Sequence, residues 1–147
     1  MIFWFTGQPG HGKTVLANLL KEHFLEDLKM CSQCSSPVYR IDGDDLRALT
    51  INKDYSKEGR LKNVKSAQDI ALYLHNLGHT AIVSLVSPYK DQREEFKNFV
   101  GDSLVEIYVH TNEPRERDHY HTEDYYPPTS RFIDVDTTLD TPQESLQ

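Results

Sequence analysis

Eight residues near the start of the chain, Gly7-Gln8-Pro9-Gly10-His11-Gly12-Lys13-Thr14, constrain what it can fold into more than any other stretch. They read G-x-x-x-x-G-K-T, the P-loop pattern. Before them stands Ile2-Phe3-Trp4-Phe5-Thr6, a β-branched and aromatic run that suits a buried first strand. After them Val15-Leu16-Ala17-Asn18-Leu19-Leu20 opens an amphipathic helix. In that setting Gly7, Gly10 and Gly12 let successive N–H groups converge on phosphate oxygens, and the helix N-terminus adds its positive dipole end. Lys13 is placed to reach the β- and γ-phosphates of a nucleotide, and the Thr14 hydroxyl to ligate Mg²⁺. ATP and Mg²⁺ are the cofactors this stretch calls for.

The remaining pattern alternates strand and helix. A helix is expected from Lys13 to about Lys29, with Leu16, Leu19, Leu20, Phe24 and Leu28 on one face. Strands are expected at Val38–Ile41, Thr80–Val86, Leu104–Val109 and Phe132–Asp136. The longest helical pattern runs from Ser56 to Leu77, with Val64, Ala67, Ile70, Ala71, Leu74 and Leu77 at three- and four-residue spacing and Gly78 as its stop. Another helix follows Ser87-Pro88-Tyr89-Lys90, and a short one is expected over residues 113–118. This order predicts a three-layer α/β/α P-loop NTPase fold with a mostly parallel five-stranded sheet, in a single P-loop kinase domain over residues 1–147, small for a nucleotide kinase.

Charge narrows the partners. The net charge is −7, and residues 118–147 carry seven carboxylates against Arg131 alone. Residues 1–117 are left with a net charge of −1, and a body this close to neutral offers no field for long nucleic acid. No apolar run approaches the roughly 20 residues that span a bilayer, so no membrane partner is expected. Two cysteines make no disulfide framework, and beside an ATP motif they point to the cytoplasm. Cys31-Ser32-Gln33-Cys34 supplies only two of four zinc ligands, and it reads rather as two free thiols in a surface loop. The histidines His110, His119 and His121 match no metal-ligand spacing and read as loop composition.

A second candidate site follows the second strand. Asp42-Gly43-Asp44-Asp45-Leu46-Arg47 puts carboxylates at the carboxyl edge of the sheet, where α/β proteins bind ligands. The same residues also suit a solvated turn. One βα unit after a P-loop, Asp42 and Asp44 are candidates to organise Mg²⁺ or to accept a proton from an attacking hydroxyl. Lys57, Arg60, Lys62 and Lys65 crowd the early part of the long helix, where cations are unfavourable unless an anion visits.

Several segments together resemble the adenylylsulfate kinases, which use ATP to phosphorylate the 3′-hydroxyl of adenosine 5′-phosphosulfate (APS). Ile41 to Arg47 is similar to the family's D-G-D-N-x-R segment. Asp54-Tyr55-Ser56 through Arg60, Asn63 and Lys65 is similar to G-F-S-x-x-D-R-x-E-N-x-R-R. Ser84 to Arg93 resembles A-F-I-S-P-Y-x-x-x-R, and Ile107-Tyr108-Val109 with Arg117-Asp118 resembles E-V-Y-V…E-R-D. The resemblance implies catalytic roles for Lys13, Asp42 and Asp44, with Thr14 and Asp42 at the metal. It implies that Asp44, Arg47, Arg60 and Asn63 hold APS, with Ser87, Pro88 and Tyr89 as pocket wall. Arg117 is implied to lie against the ATP adenine, and a homodimer is implied as the assembly. The chain departs from the pattern at Asp45 (Asn in the family), Gly59 (Asp), Lys62 (Glu), Lys65 (Arg) and Tyr55 (Phe). After Arg117-Asp118 the family carries a basic lid resembling K-G-L-Y-K-K-A-R. Here His119-Tyr120-His121 leads almost directly to Asp124-Tyr125-Tyr126-Pro127-Pro128, a shortened lid. Two alternatives stay open at this point: a P-loop kinase of another small hydroxylated metabolite or nucleotide, and a non-catalytic nucleotide-binding relative.

Overall fold

The computed structural model describes residues 1–30, 36–114 and 122–147. Five strands, β1 (Ile2–Thr6), β2 (Val38–Asp42), β3 (Thr80–Ser84), β4 (Leu104–His110) and β5 (Phe132–Asp136), form one sheet in the order β2-β3-β1-β4-β5. Every pairing is parallel. Parallel neighbours need crossover connections, and α1 (Lys13–Met30), α2 (Gly43–Thr50), α3 (Lys57–Asn76) and α4 (Lys90–Val100) lie in those between β1 and β4. A last short helix, α5, spans Pro142–Ser145.

Side chains that alternate along the strands fill two cores. Ile2 and Trp4 of β1 join Ala81, Val83 and Leu104 in the layer under α2, α3 and α4, which contribute Leu46, Val64, Ala67, Ala71 and Phe96. Phe5, Ile82, Ile107 and Val109 point the other way, onto Leu16 and Ala17 of α1. Three layers result, as the strand–helix alternation predicts. The expected helical faces hold in part. Leu16 is buried, and Leu20 and Phe24 pack on the core, but Ile70 of α3 and Leu77, its C-cap, are exposed.

Three local readings need correction. Residues 43–50 form a helix rather than a turn: the Asp42 carboxylate accepts from the Asp44 amide at 3.0 Å and caps it. β3 closes at Ser84, not Val86. The Leu85 amide still reaches the Phe5 carbonyl at 3.3 Å. Ser87 then takes a left-handed φ of 45°, and Pro88 has no N–H to offer. Glu113 and Pro114 are not helical, and the rest of the helix expected there lies outside the described residues. No described helix is long and apolar enough to cross a membrane.

Candidate active site

The loop after β1 forms a cradle. Gly12 adopts φ +97°, a conformation that L side chains rarely take, and a Cβ there would project into open space. Gly7 is required for a different reason. A Cβ would lie 2.1 Å from the Val109 carbonyl oxygen, so only glycine lets the loop leave β1 this close to β4. Lys13 is buried, and its Nζ donates to the Gln8 carbonyl at 2.7 Å, within the loop's own backbone.

Strand register builds the acidic part. Asp42 pairs with Ser84 across β2 and β3, and Arg40 lies two residues back on the same face, which is the face that α1 covers. The consequence is a compact polar cluster. Ser84 Oγ donates to Asp42 Oδ2 at 2.9 Å, and Thr14 Oγ1 donates to the same oxygen at 3.1 Å. Arg40 Nη1 donates to Ser84 Oγ at 2.9 Å, with Nη2 3.5 Å from Asp42 Oδ2. Burial alone would raise the Asp42 carboxyl. Hydrogen bonds from Ser84, the Asp44 amide and Thr14, with the Arg40 charge, outweigh it and hold the group below the usual carboxylate range. An ionised carboxylate and a hydroxyl thus meet at the cradle's edge, a donor set that suits a hard divalent cation.

That shift predicts a pH-dependent stability. A depressed folded pKa stabilises the protein fully above the unfolded value of about 3.9, and the contribution is lost as pH falls through the lower folded value. Asp42→Asn is therefore expected to melt below the wild type at neutral pH. Melting curves taken down the pH scale should show the gap starting to close below roughly pH 4 and vanishing once pH is below the depressed folded value; a gap unchanged through that range would refute the assignment.

One cleft of about 900 Å³ joins the cradle to the third part of the site. Gly10, Gly12, Lys13, Thr14, Asp42, Asp44, Arg47, Arg60, Asn63, Ser87 and Pro88 all line it. Arg47 lies with its guanidinium 4.1 Å from the Tyr55 ring centroid and donates to the Asp54 carbonyl at 2.9 Å. Asn63 is buried. Its Nδ2 donates to the Gly43 carbonyl at 3.4 Å, and its Oδ1 has no partner among the described residues. A buried acceptor on a cleft wall is an opening for a ligand's donor. Gly7 and Tyr89 stand outside the lining. Tyr89 backs the wall: burial, then the Asp124 carboxylate, raises its phenol, and Arg60 counteracts both. Of the four cations at the start of α3, Arg60 alone lines the cleft. Lys62 pairs with Glu58 at 2.9 Å, Lys65 pairs with Asp69, and Lys57 lies over Tyr89 at 5.4 Å.

Further residues to which the sequence reading gives no role stand around the site. Gln8 clasps Thr122 through two bonds of 2.9 Å, Nε2 to the Thr122 carbonyl and the Thr122 amide to Oε1. Behind the Ser87 wall, Arg93 donates to the Ser87 and Tyr126 carbonyls and pairs with Glu106 at 2.8 Å. Away from the cleft, His110, expected as loop composition, is instead the last residue of β4, bonded to Asp134 at 3.1 Å. Arg117, the shortened lid, His119, His121 and the Cys31–Cys34 pair fall outside the described residues.

Comparison with known proteins follows the same line. The family model for adenylylsulphate kinase matches residues 1–142. The adenylyl-sulfate kinase of Clostridium kluyveri is 29% identical over 110 residues, 74% of this chain and 52% of that protein. The chain thus spans about half the length of the curated relatives it matches. Among solved structures, the hexameric APS kinase from Thiobacillus denitrificans is 26% identical with a TM-score of 0.77, covering 99% of this chain and 27% of that one. The Mycobacterium tuberculosis APS kinase CysC in complex with AMPPNP and APS shares the fold at a TM-score of 0.77 and 22% identity, over 98% of this chain and 92% of that one.

Proposed function

This chain belongs to the adenylylsulphate kinase family, and on that premise we propose that it transfers the γ-phosphoryl group of ATP to the 3′-hydroxyl of adenosine 5′-phosphosulfate, giving 3′-phosphoadenosine 5′-phosphosulfate and ADP. The observation that carries the proposal is the single cleft with a phosphate cradle at one end and Arg47 and Arg60 at the other. A generic ATPase has no need of the second pair. Its volume of about 900 Å³ lies near the top of the ~300–1,000 Å³ range of ligand sites.

The residues divide the work. The loop amides of Gly10 and Gly12 with Lys13 hold the triphosphate, and Lys13 moves from the Gln8 carbonyl to the phosphates when they arrive. Thr14 and Asp42 would hold Mg²⁺, which when bound neutralises charge on the phosphate oxygens. Arg47 and Arg60 grip the phosphosulfate, since a planar guanidinium meets such oxyanions bidentately. Asn63 Oδ1 takes a donor from the acceptor nucleotide, and Ser87 and Pro88, backed by Tyr89, wall it in. Asp44 accepts the proton of the 3′-hydroxyl as its oxygen bonds to the γ-phosphorus and the bond to the ADP oxygen breaks. Arg117 is the proposed neighbour of the ATP adenine. Self-association as a homodimer and a cytoplasmic location belong to the same reading; the hexameric relative supports self-association, without selecting the dimer.

The test is direct. Protein with Mg-ATP should release ADP only when APS is added, with 3′-phosphoadenosine 5′-phosphosulfate formed in equal amount. ADP release that ignores APS, or answers to a different hydroxylated acceptor, would replace this reading.

A further inference from the structure

Gly59 occupies a position with no room for a side chain. A Cβ there would lie 2.2 Å from the Asp54 carbonyl oxygen, 2.5 Å from Asp54 Cγ and 2.6 Å from Asp54 Cβ. The residue sits in the first turn of α3 and is buried, so the demand is for space. What takes that space is the loop before the helix. Asn52 Nδ2 donates to the Gly59 carbonyl at 3.1 Å, and the Asp54 amide donates to Asn52 Oδ1 at 3.0 Å. The Ser56 amide donates to Asp54 Oδ1 at 2.8 Å, and the Gly59 amide to Ser56 Oγ at 3.3 Å. Arg47 is wound into the same loop through its bonds to the Asp54 and Asn52 carbonyls at 2.9 and 3.2 Å. Arg60 is the very next residue.

We propose that Asp54 and Gly59 form an interlocked pair that fixes the spacing of Arg47 and Arg60, and through them sets the affinity for the anionic group of the acceptor. They are positioning residues, and the proposal rests on the acceptor reading above. The motif that this segment resembles has the two residue types the other way round, glycine where Asp54 stands and aspartate where Gly59 stands. Each departure alone would crowd or empty the helix start. Together they leave one carboxylate-bearing side chain for one space, so the anion grip survives the exchange. The contact is close enough that either half changed alone should be felt at both arginines.

A double-mutant cycle with Gly59→Asp, Asp54→Gly and the pair combined tests this. Gly59→Asp should raise the KM for APS on the order of ten- to hundredfold, with the KM for ATP within roughly twofold of wild type. It should also lower the melting temperature. Asp54→Gly frees its peptide to turn the carbonyl aside, so the combined variant should recover most of both losses. If Gly59→Asp does not fold, Gly59→Ala with and without Asp54→Gly gives the same cycle. Unchanged KM and melting temperature in Gly59→Asp, or a combined variant no better than the single one, would overturn the interlock. Melting that recovers without the APS KM would overturn the positioning role. A wild type inert toward APS refutes the acceptor reading instead, while the melting cycle still judges the interlock.

Discussion

Lys13→Ala should leave a folded protein whose APS-dependent kcat has fallen on the order of a thousandfold. The ammonium donates to the Gln8 carbonyl at 2.7 Å, a bond inside the loop that the strand and helix ends fix anyway. Its loss therefore costs little stability. In the proposed reaction the same ammonium would face charge spread over the transferring phosphoryl oxygens. Lys13→Arg should not rescue turnover, because a forked planar group cannot stand in for a compact point charge in so narrow a cradle. Steady-state rates with matched melting curves read both halves of the expectation. A variant that retains more than about a tenth of the wild-type rate would remove Lys13 from the chemistry.

The largest effect on stability is expected at Glu106. Register sets Glu106 opposite Trp4, facing the α4 layer, where Arg93 and Lys97 lie one helical turn apart. Arg93 bonds Oε1 at 2.8 Å and Lys97 bonds Oε2, with all three side chains buried. Glu106→Ala removes the carboxylate that two buried cations share, leaving Lys97 with Glu94 at 2.7 Å and Arg93 with carbonyls alone, a loss of about 3–5 kcal/mol. For a chain of this size that corresponds to a melting temperature lower by roughly 10–15 °C. Because Arg93 also holds the Ser87 and Tyr126 carbonyls, the surviving folded protein should bind APS more weakly. A melting shift below about 3 °C would mean that the network is hydrated and carries little of the stability.

What could be read from the residues alone was what local spacing dictates. The P-loop announces itself because its function lies in consecutive backbone amides, and the strands bound it with runs of one composition. The helix at residues 43–50 did not show, since Asp and Gly serve a turn and a helix start equally well. Partnerships across the sheet were out of reach for another reason. Ser84 meets Asp42 only because β3 inserts between β1 and β2, and no periodicity reports that order. Two signals did exist. Glu106 is a lone carboxylate inside Leu104–Val109, and Arg40 a lone guanidinium inside Val38–Ile41. A charge inside an apolar strand requires a partner on a neighbouring element, even when the sequence does not say which one.

The strand order also governs when the molecule can begin to assemble. β1 bonds to β3 and β4, and β2 bonds to β3, so a nascent chain that has emerged only as far as α3 holds two strands and no ladder. Its most apolar strand waits unpaired through some seventy residues of synthesis. Thr80–Ser84 then bridges both at once, and by the same event delivers Ser84 to Asp42. The phosphate cradle and its carboxylate are thus completed by a residue translated long after either, which ties nucleotide competence to closure of the sheet's centre.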